Sequence, residues 1–294
     1  MASVSDAFEV FRKRLEITNS EQQDASRRQQ EVRGHMQASF DIERDFLTGS
    51  YARHTKTKPL KDVDIFLVFG FGDQGRRSCP PQKVLDAAEA CLREHYDADQ
   101  VEPGRRSSGV TFERSSPTQS EDGKVFSVDV VPAVPCGDHY EIPDAVVGEW
   151  IETNPEAHKA KATAKNAEMT KHWVPLVKMA KAWNRVMGNP IKPSFLIEVM
   201  ALELVEPPFQ SYPDELRRLF AAMADRIDDV WPDPAGLGPA VSDQMTPGLC
   251  AAARSALVDA EKTAARAFRA EAQGRTGEAI AIWRGLLGPY FPAR

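Results

Sequence analysis

Residues 49–69 read GSYARHTKTKPLKDVDIFLVF, and the fold turns on the last eight of them. The run Asp62 to Phe69, DVDIFLVF, is short, rich in β-branched and aromatic residues, and stopped by Gly70, Gly72 and Gly75, which predicts a core strand. Successive side chains of a strand leave opposite faces. Asp62 and Asp64 therefore share one face while Val63 and Ile65 point the other way into apolar packing. Two carboxylates on one side of a buried strand repel each other unless a cation neutralises them, and hard oxygen donors at this density suit Mg²⁺ or Mn²⁺. Asp129 sits inside VFSVDVVPAV, a second strand pattern that is otherwise apolar apart from Ser127. Beside the first two acids it would complete a site for two metal ions about 4 Å apart. Upstream, Gly49-Ser50 falls at the predicted turn into a helix. Glycine there lets the backbone approach a phosphate, and the hydroxyl and helix N–H groups supply donors.

Working outward, Phe8, Phe11, Leu15, Val32, Met36 and Phe40 recur at near-helical spacing, which predicts one or two amphipathic helices in the first 45 residues, ended by Gly49-Ser50. Pro80-Pro81 opens a helix running to about Tyr96. GVTFER and VFSVDVVPAV read as antiparallel strands joined by a long loop from Ser115 to Lys124, with Pro132 and Pro135 closing the second. Thr153-Asn154-Pro155 offers a helix start, and helical patterns dominate from His158 onward. Trp173, Val177, Ala180 and Trp183 form one apolar stripe; Ala251 to Leu287 is Ala-rich and interrupted at Gly274 and Gly277. The expected architecture is α+β, with a mixed-sheet core over residues 1–165, N-terminal helix included, packed on a helical domain over 166–294, and a cleft between them.

The 294 residues carry a formal net charge of −6, which argues against holding long nucleic acid on a basic face. No stretch approaches the ~20 apolar residues of a membrane span, and no basic-then-apolar leader opens the chain, so cytoplasmic residence without membrane contact is expected. The four cysteines are scattered and the six histidines lack paired ligand spacing, so neither disulfides nor a zinc site is expected.

The Gly-Ser, Asp-x-Asp and later Asp together resemble the signature of polymerase-β-like nucleotidyltransferases. Arg53-x-Thr55, the VDVVPA around Asp129, WIETNPEAH, LVKMAKAWN and KPSFLIEV narrow the resemblance to the bacterial cGAS/DncV-like branch. It implies that Asp62 and Asp64 bind both metals, Mg²⁺ or Mn²⁺, together with the triphosphate, while Asp129 holds the catalytic metal and helps deprotonate the attacking hydroxyl. Gly49 and Ser50 would bind nucleotide, as would Lys181 and Ser194, whose family counterparts contact the triphosphate. Lys178, one turn earlier, is the competing lysine, and Phe195 is either a base-stacking aromatic or a core residue. The implied product is a cyclic oligonucleotide made from ATP and other nucleoside triphosphates, acting in antiphage signalling through a separate effector, with room for a regulatory protein. The alternatives are a linear oligoadenylate synthase, a nucleotidyltransferase acting on RNA or a small molecule, and an inactive binding module. No counterpart of the animal zinc-binding insertion is present, so activation by DNA is not expected.

Overall fold

In the computed structural model, which describes residues 3–112 and 126–293, two helices come first, α1 (Val4–Arg14) and α2 (Asn19–Ser39). Each opens on a reciprocal cap. Ser3 and Thr18 accept the N–H groups of Asp6 and Glu21, whose carboxylates accept the N–H of the capping residue in return. There follow β1 (Ile42–Thr48), the single turn α3 (Gly49–Ala52), β2 (Asp62–Phe69), α4 (Pro81–Arg93), β3 (Val101–Pro103), β4 (Ser108–Phe112), β5 (Phe126–Cys136), β6 (His139–Asp144) and β7 (Glu149–Thr153). The rest is helical: α5 (Pro155–Glu168), α6 (Trp173–Val186), α7 (Phe195–Leu204), α8 (Tyr212–Arg226), α9 (Pro247–Ala272) and α10 (Thr276–Leu287). The chain forms two units, and their division is not a single cut near residue 165. A sheet unit comprises Ile17–His54 and Pro59–Lys159, and a helical unit comprises Met1–Glu16, Thr55–Lys58 and Ala160–Arg294.

In the sheet unit, β1, β2, β5, β4 and β3 lie side by side, and β6 and β7 extend from the far end of β5. β2 and β5 run parallel; every other pairing is antiparallel. One face of the sheet carries Val63, Ile65, Leu67, Val110, Val128 and Val130, which form one core with Ala25, Val32 and Met36 of α2 and Val84, Ala88 and Leu92 of α4. The other face has two characters. Toward the C-terminal end of β2 it is apolar, with Phe66, Val68, Ala133, Tyr140 and Ile142 in a second cluster. At the opposite end it carries the acids. Val63 and Ile65 are fully buried, and each contributes about 1.5–3 kcal/mol by leaving water. A one-residue slip of β2 would expel them and drive Asp62 and Asp64 into the core, so burial holds the acids to their face.

In the helical unit the α6 stripe is as read: Trp173, Val177, Ala180 and Trp183 are fully buried. α1 packs Phe8 edge-on against Trp283 at 4.9 Å and Phe291 at 5.1 Å. Small residues, Ala253, Ala260, Ala264 and Ala267, line the buried side of α9 and allow close approach of its neighbours. Thr55–Lys58 belongs to this unit, its Lys58 N–H donating to the Leu15 carbonyl at 2.9 Å and Arg185 donating to the Lys58 carbonyl at 3.0 Å.

Several local expectations are corrected. Ile42–Thr48 is a strand, not the end of a helical region, because it pairs along β2 as an edge whose outer residues stay exposed and charged. β5 does not close at Pro132 or Pro135. Pro132 lies between the pairing with β4, which ends at Val130, and that with β6, which begins at Val134, and the strand runs on to Cys136. The hairpin of β6 and β7 and the short β3 were not foreseen. Gly274 does separate α9 from α10 with φ +75°, whereas Gly277 lies within α10. The predicted loop from Ser115 to Lys124, with the ends of the two flanking patterns at 113, 114 and 125, lies outside the described residues.

Asp144, at the end of β6, is fully buried and ties two hairpins together. Its carboxylate accepts from Nε of Arg105 and Arg106, in the turn before β4, and from the N–H groups of Val146 and Val147. Burial alone would raise its pKa, but the hydrogen bonds from both arginines and Val147 outweigh burial and bring it to about 2 from an ordinary 3.8. The resulting stabilisation is complete above the ordinary value and is lost as pH falls through the folded-state value. Acid unfolding followed by circular dichroism should show wild type losing roughly 2 kcal/mol from this group between about pH 4 and pH 2. Asp144→Asn should lack that component and be less stable at neutral pH.

Candidate active site

The parallel register of β2 and β5 places Asp64 directly beside Asp129 and Asp62 beside Ser127. On the outer sides, Thr48 of β1 pairs with Asp64, and Gly109 and Thr111 of β4 pair with Asp129 and Ser127. Two rungs therefore cross the sheet on one face, Thr48, Asp64, Asp129 and Gly109 above Asp62, Ser127 and Thr111. All three acids are half-buried. Neighbouring strands lie about 4.8 Å apart, so Asp129 stands beside Asp64 on one rung, with Asp62 on the next rung of the same face.

Gly49 closes the β1 side. It follows Thr48 directly, begins α3, and has φ +64°, a left-handed backbone that disfavours side chains. A methyl group on it would lie 1.8 Å from Asp64 Oδ2. Glycine is thus required twice at this position, for conformation and for the acid's space, and Ser50 follows as the second residue of α3. Arg53 and Thr55, a few residues on, are buried polar residues. The entry to β2 is fixed from α2, where Glu21, 6% exposed, accepts the Leu60 N–H at 3.2 Å as well as capping its own helix.

Among the described residues no group of three His, Cys, Asp or Glu side chains is placed to hold a metal ion by itself. A half-buried carboxylate set completed by water and substrate phosphate is the surrounding magnesium takes, since it binds through one or two carboxylates and keeps several waters. The donor chemistry of Asp62, Asp64 and Asp129 therefore fits the expected ion.

Lys181 and Ser194 both belong to the helical unit. Lys181 on α6 reaches Glu198 in the first turn of α7, Nζ to Oε1 2.5 Å, in a buried ion pair, and Ser194 is the residue that opens α7. The Ser194 hydroxyl is exposed and makes no cap bond to the helix. Lys178 is paired elsewhere, with Glu16 at 2.6 Å. Phe195 is partly buried against the helical core. Sequence reasoning missed two participants, Glu198 and Gly109. The first had a signal, a lone acid in the apolar run FLIEVMAL; the second had none, because the long stretch between β4 and β5 leaves their register open in the sequence.

An acid-bearing parallel strand pair flanked by a Gly-Ser turn, followed by a helical unit, defines the polymerase-β-like nucleotidyltransferase class. The profile of the Second Messenger Oligonucleotide or Dinucleotide Synthetase domain matches residues 1–166. A cyclic AMP-AMP-AMP synthase from an Acinetobacter species is 30% identical over 270 residues, covering 84% of this chain and 72% of that protein. Among solved structures, Escherichia coli CdnC with ATP superposes with TM-score 0.70 at 21% identity over 98% of both chains, and CdnC has also been solved bound to a HORMA protein, with the same TM-score and coverage at 20% identity. Vibrio cholerae DncV, a cyclic AMP-GMP synthase, gives 0.63 at 14% identity over 85% of this chain and 69% of its own. The chain belongs to the second messenger oligonucleotide or dinucleotide synthetase family, nucleotidyltransferases that build cyclic oligonucleotides. No helix among the described residues is long and apolar enough to cross a membrane.

The buried pair makes Lys181 a test of structure against binding. Lys181→Met takes the ammonium from a carboxylate only 1% exposed and should cost about 3 kcal/mol or more in denaturant unfolding. Lys181→Met with Glu198→Gln should recover most of that stability. If the double variant also regains full ATP affinity, Lys181 serves the fold and not the nucleotide.

Proposed function

We propose that this chain makes its cyclic product from ATP, alone or with other nucleoside triphosphates, at the acidic face formed by Asp62, Asp64 and Asp129. The observation that carries the reading is the register that sets Asp129 beside Asp64, with Gly49 pressed against the second acid. The adenosine-containing products named for the Acinetobacter and V. cholerae enzymes support ATP as a substrate.

In this reading Asp62, Asp64 and Asp129 hold Mg²⁺ or Mn²⁺. A divalent ion there supplies charge neutralisation for the triphosphate and lowers the pKa of the attacking hydroxyl. The chain's own groups do the remainder. Ser50 donates to the phosphate oxygens, and Gly49 lets the backbone come close to them. Ser194 and the Lys181 cation are further phosphate-binding groups. Asp129 takes the proton of a ribose hydroxyl as its oxygen bonds to the α-phosphorus and pyrophosphate leaves. A further transfer of the same kind, from the last free hydroxyl to the remaining triphosphate, closes the ring. Alignment and charge account for the catalysis, as in phosphoryl transfer generally. The cytoplasm is the setting of this chemistry, the product acts on a separate effector in antiphage defence, and the HORMA complex of CdnC supports a regulatory protein as partner.

Asp62→Asn and Asp64→Asn should reduce pyrophosphate release to background without lowering the melting temperature, because each removes a ligand charge without touching the core. Release near the wild-type rate from either purified variant refutes their assignment. Asp129→Asn should also be inactive yet still bind ATP with Mg²⁺. Incubation with all four ribonucleotides and Mg²⁺ or Mn²⁺, then phosphatase and mass spectrometry, should yield a resistant species containing AMP. A phosphatase-sensitive ladder, or label only on added RNA, overturns the ring-forming reading and leaves nucleotidyl transfer in place.

A further inference from the structure

Asp129 faces Gly109 across the antiparallel pair of β4 and β5. A methyl group on Gly109 would lie 2.4 Å from Asp129 Oδ1 and 3.6 Å from the carboxylate carbon, while its remaining neighbour, the Glu102 carbonyl, is at an ordinary 3.7 Å. The backbone of Gly109 is not left-handed, so conformation makes no demand for glycine there. Space does. The atom in the way is the tip of a side chain and not backbone, so the fold can absorb the extra methyl by turning the Asp129 carboxylate aside. Its place on the rung is what would be lost.

We propose that Gly109 is a positioning residue for the reaction, its bare backbone leaving room for the Asp129 carboxylate on the β4 side of the rung. This rests on the assignment of Asp129 made above. Together with Gly49 it makes the rung a slot walled at both ends by glycine, one end against Asp64 and the other against Asp129. The two ends differ in kind. Gly49 is also required by its φ, so a side chain there strains the turn, whereas Gly109 separates the acid's position from the stability of the fold.

The test compares the full chain carrying Gly109→Ala, Asp129→Asn, or Gly75→Ala, the last as a control because a methyl group on Gly75 meets nothing within 4 Å. Pyrophosphate release from ATP is followed against ATP and against Mn²⁺ concentration, with thermal melts alongside. Gly109→Ala should melt with the control, keep KM for ATP within about twofold, and lose about ten- to a hundredfold in kcat, the cost of a carboxylate displaced by about an ångström. Its half-saturating Mn²⁺ concentration should rise, a readout that a purely structural glycine would not move. Activity equal to Gly75→Ala, a raised KM with unchanged kcat, or a chain that fails to fold each overturns the proposal. If Asp129→Asn is inactive and Gly109→Ala is normal, only the positioning role falls; if Asp129→Asn is active, the assignment of Asp129 falls and the proposal with it.

Discussion

Asp64 and Asp129 occupy neighbouring positions on adjacent parallel strands, and without a counterion their charges oppose the pairing that brings them together. At about 4.8 Å and an effective dielectric of about 20, two such charges repel by roughly 3 kcal/mol. The sheet accepts this because the reverse face of the same strands is apolar and covered. Val63 and Ile65 on β2, with Val128 and Val130 on β5, are fully buried beneath α2 and α4. From Asp62 to Ile65 and from Ser127 to Val130 the strands thus put a carboxylate or hydroxyl on one side and a core side chain on the other. The apolar side fixes register; register fixes the acids.

That division explains what was readable in advance. β2 alternates over residues 62–65 and β5 over 126–130, so their acids and the face they share follow from period-two reasoning. The Gly-Ser turn was readable as well, because a glycine with positive φ is a local requirement. The rest depends on partners far away in sequence. Ile42–Thr48 carries Glu43, Arg44 and Asp45 in its middle, as an edge strand can, and nothing local distinguishes it from a charged helix end. The β6–β7 hairpin is held by Asp144 through two arginines nearly forty residues earlier in the chain. Gly109 looks like any strand glycine until the register with β5 is known.

Lys181 illustrates the same limit in the helical unit. A lysine in an apolar helix followed by a serine-led helix resembles a phosphate-binding pair. Yet the ammonium already has a carboxylate at hydrogen-bonding distance, supplied by Glu198 from the apolar run after Ser194. A buried cation in a low-dielectric setting requires such a partner, so its presence says as much about the core as about any ligand.

The packing of α1 bears on synthesis in the cell. Phe8 and Phe11 find their ring partners in Trp283 and Phe291, separated from them by nearly the whole chain. A ribosome makes that apolar helix early and its cover almost last. Every strand of the sheet unit has emerged by Thr153, so the acids can be assembled while the helix ahead of them is still uncovered. The nascent chain therefore carries an incompletely covered apolar segment for most of translation, an early client surface for chaperones, and premature termination before α10 leaves Phe8 and Phe11 without these ring partners.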